Sequence, residues 1–269
     1  MTTASFNRRS DMLVIRSIVF NVLFYLTLLM LMVFGLPTIL GGRRGVFALA
    51  RLWGAVSVWL LEAICGLKVE YRGVGNVPAG AVLIAAKHQS FLETFALLKY
   101  APDFAIILKR QLTLIPFFGL YLIVSKQIAI DRARGRAALQ QIIEAARSVL
   151  AAGRQVFIYP EGTRRPPGAP PDYKAGVAAI YAATAAPCLP VAVNTGLFWR
   201  RRGFLRRPGT AVIEYLPPIP PGLRRDAFAR TLEDEIEKAC ARLNDEAAAN
   251  DPSLKAVLEE GAGYERAVK

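Results

Sequence analysis

The chain's 269 residues are 54% hydrophobic and carry 34 basic against 21 acidic side chains, a net charge of +13. The apolar share exceeds that of an ordinary soluble domain, so the surplus charge points to an anionic bilayer surface or a phosphorylated substrate more than to nucleic acid. Cys65, Cys188 and Cys240 show no C-x-x-C spacing, which argues against a secreted disulfide framework, and with a single histidine a zinc site is disfavoured.

The first block is apolar. No charge falls between Arg16 and Arg43, and a helix over 18–36 would extend roughly 28 Å at about 1.5 Å per residue. That nearly matches the roughly 30 Å hydrocarbon core of a bilayer. A signal peptide is the competing reading, since Arg8, Arg9 and Arg16 resemble a basic leader. The run is long for one, however, and no convincing A-x-A cleavage site follows. A second apolar segment, residues 47–66, carries Trp53 and Trp59, residues suited to the headgroup level. The turn-rich GLPTILGGRRG between the two predicts a helical hairpin over 1–67 that dips into a bilayer or lies along it. The alternative is a pair of core helices. The first segment is apolar on every side, which speaks against that. Flanking arginines at both ends leave the orientation open.

From Lys68 onward, strand and helix patterns alternate. KVEYRG, AVLIAAK, FAIILK, QIAID, QVFIYP, CLPVAVN and TAVIEYL read as strands. Residues 92–101, 133–153, 175–186 and 223–249 read as helices, with Gly153 as a stop. The fold class is therefore α/β, a mostly parallel central sheet covered by helices over 68–249, preceded by the hydrophobic two-helix segment. Residues 250–269 form a polar tail. GVGNVP precedes a strand rather than opening a helix, so it is a turn and not a phosphate loop.

In such sheets, sites form at the carboxyl ends of strands. KHQSFLET follows one and holds His88, the only histidine. Glu93 lies five positions on, in the first turn of a helix that Ser90 can cap. Folded back, His88 can donate Nδ1–H to Glu93 and keep Nε2 free to accept a proton. A histidine merely satisfied by a nearby acid fits this motif equally well. Ser90 as a nucleophile is disfavoured, because it lacks a G-x-S-x-G elbow. Three later stretches add cations and turns: LKRQLTLIPFFGLYL with Lys109 and Arg110, YPEGTRR with Glu161, Gly162, Thr163 and Arg164, and LPVAVNT. Arginine and lysine there suit a phosphate, and Gly162 frees the backbone to turn Arg164 toward the same crevice.

In this order the four blocks, with PDYKAG after the third, resemble the glycerolipid acyltransferase family, and most closely bacterial 1-acyl-sn-glycerol-3-phosphate acyltransferases. The resemblance covers roughly residues 68–220. It implies that His88 is a general base on the sn-2 hydroxyl of lysophosphatidic acid, that Glu93 orients it, and that Lys109, Arg110 and Arg164 bind the phosphate within a loop shaped by Glu161, Gly162 and Thr163. It further implies acyl-CoA or acyl carrier protein as co-substrate, no metal and no other cofactor. The expected setting is the inner, cytoplasmic membrane, with the catalytic domain facing the cytoplasm. Two departures stand out: Glu93 occupies a position where the family more often has Asp, and Arg165 follows the EGTR block, where it would add a phosphate contact or face water. The basic LFWRRRGFLRRPG, residues 197–209, suits anionic headgroups, the phosphates of CoA, or plain solvent. Rival readings are acylation of another lysolipid such as lyso-ornithine lipid, a catalytically dead lipid-binding scaffold, and a membrane-anchored nucleic-acid-binding protein. For the last, no recognised motif is present, so nucleic acid is not expected as a partner.

Overall fold

The structure, a computed structural model, describes residues 3–131 and 135–264. Two long helices come first, α1 (Thr3–Phe34) and α2 (Gly42–Leu60), the second running into a π-helical turn at Leu61–Cys65. Seven strands follow: β1 (Leu67–Arg72), β2 (Val82–Ala86), β3 (Phe104–Lys109), β4 (Ile128–Ile130), β5 (Gln155–Ile158), β6 (Cys188–Val193) and β7 (Gly209–Tyr215). They form one sheet in the order β1-β7-β6-β2-β5-β3-β4. Each pairing is parallel except that of β6 with β7.

The helices between strands are α3 (Leu92–Ala96), α4 (Phe118–Val124), α5 (Arg136–Ala151) and α6 (Ala175–Thr184). After β7 come α7 (Arg225–Asn250) and α8 (Lys255–Ala262). Every strand read from the sequence is present. The α4 helix is not anticipated: its stretch reads as an apolar turn. The expected helix start at Ala133 lies outside the described residues, as do the tail's last five positions. The nearer part of that tail folds as α8, where Leu254 just ahead of it and Val257 are buried.

Why β2 sits at the centre follows from its side chains. Successive residues of a strand face opposite sides, and parallel sheets are covered on both. Val82, Ile84 and Ala86 enter one core, with residues of α1, α2 and α3. Leu83 and Ala85 enter the other, with residues of α5, α6 and α7. The thiols divide the same way: Cys65 lies in the first core, Cys188 and Cys240 in the second, all free and buried.

The strand directions gather the sequence motifs on one edge. Strands β2 to β6 run the same way, so the segments after β2, β3, β5 and β6 all emerge at the same edge of the sheet. Because β7 runs opposite to β6, the basic 200–208 loop that links them lies there too.

The α1 helix meets this edge along a narrow stripe. Ser17, Phe20 and Phe24 are fully buried, at the spacing of one helix face. Phe24 lies 5.6 Å from Phe95, 6.0 Å from Phe91 and 5.8 Å from Trp199 between ring centroids. Such an aromatic cluster contributes beyond its area, and each buried Phe is worth about 1.5–3 kcal/mol. The remaining faces of α1 stay apolar and exposed, with Val22 and Tyr25 each at 59% and Phe34 at 73%. The core-helix reading does not hold for such a surface. Ser10–Phe34 and Leu36–Cys65 are both long and apolar enough to cross a membrane.

Candidate active site

His88 and Glu93 meet as the sequence spacing predicts. The chain leaves β2, turns through Gln89 and Ser90, and enters α3, where the Ser90 hydroxyl accepts the Leu92 N–H at 3.1 Å. This brings Glu93, in the first turn, back under the turn it follows. Its Oε1 lies 2.8 Å from His88 Nδ1 and accepts the backbone N–H groups of Gln89 at 2.8 Å and Ser90 at 2.7 Å. Its Oε2 accepts the Thr195 hydroxyl at 2.7 Å. A carboxylate oxygen only accepts, so this network assigns the proton to Nδ1 and leaves Nε2 as the acceptor. Among the described residues no group bonds Nε2.

The imidazole is held as well as tethered. The Tyr159 ring, just past β5, stacks on it at 3.8 Å and 16°. Burial, with the charge of Glu93 adding to it, pushes the Tyr159 hydroxyl above its ordinary range, against a hydrogen bond with Thr94 and the positive charge of Arg164. Tyr159 therefore serves here as a neutral plate.

The EGTR turn starts one residue later. Gly162 adopts φ +66° and its N–H donates to the Tyr159 carbonyl at 2.8 Å, a tight reversal that a side chain would strain. Glu161 points inward and bonds Lys87 Nζ at 3.1 Å, while Lys87 also reaches Glu237 at 2.6 Å. Tyr173 donates to the same Glu237 oxygen at 2.8 Å. Burial works against the charge on Lys87, but Glu161 and Glu237 more than offset it and hold the ammonium above its ordinary value. Burial raises Glu161, with Lys87 opposing. This pair ties the end of β2 to the loop after β5.

The two arginines of EGTRR part company. Arg165 turns inward: it is buried, within 3.5 Å of Glu161 and 3.6 Å of Asp172, and its backbone N–H donates to the His88 carbonyl at 2.9 Å. The expectation that Arg165 adds a phosphate contact or faces water is overturned, because two carboxylates and a backbone bond hold it inside. Arg164 and Thr163 stay half-exposed. The Arg164 carbonyl accepts from Arg201 Nη1 at 3.0 Å.

The acyltransferase family model matches residues 68–194, which contain all of these groups but Thr195 and Arg201, together with Glu237 on α7. Over 197 residues the chain is 36% identical to a 1-acyl-sn-glycerol-3-phosphate acyltransferase of Pseudomonas aeruginosa, covering 73% of this chain and 72% of the relative. The chain belongs to the glycerolipid acyltransferase family. A coconut (Cocos nucifera) relative with the same name is 30% identical over 63% of this chain and 55% of its own. The fold matches the crystal structure of the 1-acyl-sn-glycerophosphate (LPA) acyltransferase PlsC from Thermotoga maritima, with a TM-score of 0.72, 22% identity, and coverage of 85% of this chain and 96% of the other.

In this acyltransferase the remaining predicted site residues, Lys109 and Arg110, stand exposed at the last position of β3 and just after it. With strands about 4.8 Å apart, β3 lies two places, or roughly 10 Å, from β2, and β5 with Arg164 lies between them. None of the three cations has a carboxylate partner among the described residues. A cleft of about 340 Å³ opens near Lys87 and Gln89, with Pro166, Glu237 and Asn244 on its walls. Lys87 and Gln89 line this cleft and His88 does not. Sequence reasoning gave no role to Thr195, Tyr159 or Lys87. All three stand inside the quoted blocks, where Lys87 looks like an ordinary solvated end to a strand.

Proposed function

We propose that this acyltransferase moves an acyl group from a thioester donor to the free sn-2 hydroxyl of 1-acyl-sn-glycerol-3-phosphate, giving phosphatidic acid. One observation carries the reading: Glu93 fixes the His88 tautomer that leaves Nε2 open at the sheet edge that also carries Arg164, Lys109 and Arg110. Nε2 takes the hydroxyl proton as the oxygen attacks the thioester carbonyl. The tetrahedral adduct expels the thiolate, which receives that proton from the imidazolium, and the ester remains. Glu93 stabilises the transient positive ring. Such positioned proton transfer contributes about 10²–10⁴ in rate.

Arg164, Lys109 and Arg110 bind the phosphate, with Glu161, Gly162 and Thr163 shaping the loop. Three cations with no carboxylate partner among the described residues favour a phosphate over the headgroup of a lyso-ornithine lipid. The donor is acyl-CoA or acyl carrier protein. Either brings an activated thioester, so the reaction as proposed runs without a metal or other cofactor.

The setting follows from substrate chemistry. Each buried CH₂ is worth about 0.8 kcal/mol, so the lysolipid stays at a bilayer while the water-soluble donor comes from the cytoplasm. We place the enzyme on the inner membrane, with its α/β domain on the cytoplasmic side. α1 is docked mid-length to the Arg-rich 200–207 loop through Ser17 and Asn21. Carrying that loop to the bilayer centre would cost about 2.5–3.5 kcal/mol per arginine. The helix pair therefore lies along, or dips into, one leaflet.

The test is thiol release from acyl-CoA and from acyl carrier protein with lysophosphatidic acid, comparing wild type with His88→Ala. Release by wild type and its loss in the variant is the expected result. No release by wild type from either donor overturns the reading.

A further inference from the structure

The segment after β3 carries an apolar surface that the acyl transfer does not use. Leu114 is 77% exposed, Ile123 63%, Phe117 46%, Leu120 45% and Ile115 43%. Five large apolar side chains within ten residues make a patch of the kind that marks an interaction site. The backbone is shaped to present it. Phe117 sits at φ 61°, ψ −53°, and the Phe118 N–H donates to the Pro116 carbonyl at 2.7 Å. That is a γ-turn of the rare positive-φ kind, strained for an aromatic residue. A Cβ on Gly119 would lie 2.0 Å from the Thr113 carbonyl, so the turn folds tightly on itself and thrusts its side chains outward.

Its surroundings select the occupant. Tyr121 of α4 donates to the Met32 carbonyl at 2.9 Å, which joins this lip to the C-terminal end of α1, two residues before the exposed Phe34. The apolar surface of α1 thus runs on into the lip. Lys109, Arg110 and Lys126 stand exposed at its two ends, the placing of cations around an apolar wedge that suits anionic headgroups. The lip follows the carboxyl end of β3, on the same sheet edge as His88.

We propose that Leu114–Ile123 is a second membrane-inserting element: a short apolar lip that enters the same leaflet as α1 and holds the catalytic edge against the bilayer. The proposal rests on the membrane setting given above. The helix pair alone leaves the α/β domain room to rock against the bilayer. A second contact beside the crevice stops the rocking, so that Nε2 of His88 faces lysolipids entering from the leaflet.

The test uses single cysteines carrying an environment-sensitive fluorophore, which the buried native thiols permit. Leu114→Cys and Ile123→Cys report on the lip, Val22→Cys on α1, and Arg230→Cys, at an exposed position of α7, on water. Vesicles contain phosphatidylethanolamine and phosphatidylglycerol, with a quencher on the acyl chains. Labels at 114 and 123 shift to the blue and are quenched as at 22, while 230 is unaffected. Labels at 114 and 123 that behave like 230 while 22 is quenched overturn the lip and leave the membrane setting intact. If 22 also stays in water, both fail. A concentration-dependent blue shift at 114 without vesicles would mark a second copy as the occupant and overturn the proposal. As a second readout, Leu114→Asp with Ile123→Asp raises KM for vesicle-borne lysophosphatidic acid by roughly tenfold or more per side chain. It leaves turnover of a short-chain, water-soluble analogue unchanged.

Discussion

Thr195 donates its hydroxyl to Glu93 Oε2 at 2.7 Å across 102 residues of sequence. With the three donors on Oε1, it completes a cradle for a fully buried carboxylate. An unpaired oxygen there would carry a desolvation cost and be free to rotate away from His88. Thr195→Val is expected to lower kcat about tenfold with little change in KM, and Thr195→Ser to restore most of it. A purely structural role would move stability alike in both variants and leave the kcat to KM split unseen, so both constants are measured beside thermal unfolding.

The glutamate's extra methylene is used in full. From α3 it reaches one ring nitrogen, two amides and Thr195. Glu93→Asp draws the carboxylate back by about one bond, near 1.5 Å, so it cannot keep all four partners. A fall of at least tenfold in kcat is expected. Glu93→Gln keeps the shape, with its oxygen toward the three N–H donors and its amide toward Thr195, but removes the charge. It is expected to lose about 10²–10³ in kcat with the fold intact by circular dichroism. Near-wild-type activity in Glu93→Gln would show that orientation alone matters.

Lys87 and Glu161 are both almost wholly buried, so breaking the pair is costly. Lys87→Met takes the nearer cation from the buried Glu161 and leaves it Arg165 at 3.5 Å, an expected loss of about 3 kcal/mol near neutral pH. The sign with pH is fixed. Burial already raises Glu161, and losing Lys87 raises it further. A carboxyl with a raised folded pKa lends stability below its unfolded value and loses it as pH rises. The Lys87→Met deficit is therefore small near pH 4, below the ordinary glutamate value of 4.5, and grows above it. Adding Glu161→Gln removes the part of the pH dependence that Glu161 carries and leaves that of Glu237, the other partner of Lys87. Urea unfolding at several pH values checks both.

What was legible in the sequence was local. A continuous apolar run places β2, and a helix start after HQSF brings Glu93 back to His88 because both lie within one turn. The parallel pattern then sends the motif loops to one edge. What was not legible depended on tertiary contact. Thr195 meets Glu93 only because β6 lies beside β2. Lys87 is buried only because α7 and the EGTR turn bring carboxylates to it, and Arg165 turns inward for the same reason. In the α4 stretch, Pro116 and Gly119 read as turn signals. The glycine instead permits a close approach to Thr113 that lets a helix begin.

Arg206 is the lock between α1 and the catalytic domain. Its guanidinium lies 3.8 Å from the Trp199 ring centroid, donates to Asn21 at 2.7 Å, and bonds the carbonyls of Gly203, Phe204 and Leu205. Burial lowers it to about 10, still charged at neutral pH. Arg206→Ala takes this donor from the Asn21, Gly203 and Leu205 oxygens, while Phe204 keeps a bond from Asn21, and is expected to cost about 2 kcal/mol or more. Limited proteolysis near residues 200–207 should quicken, with a rate equal to wild type counting against the lock.

The rest of the basic loop divides by partner, and this sharpens what charge reversal should do. Arg200 pairs with Glu260 at 2.7 Å, and Arg201 braces the Arg164 carbonyl. Arg202 is exposed and has no partner among the described residues. Arg202→Glu should weaken binding to anionic vesicles roughly thirtyfold at low salt, since each basic residue near such a surface is worth about 1 kcal/mol and reversal counts twice. High salt should erase the difference, because the contact is screened within a Debye length of about 10 Å at 0.1 M. Arg201→Glu should instead raise KM for lysophosphatidic acid even in detergent without anionic lipid, by loosening the turn that carries Arg164. Vesicle flotation and detergent kinetics separate the two arginines. Equal vesicle defects for both, with no change in KM, would mean that the loop acts only as a patch of charge.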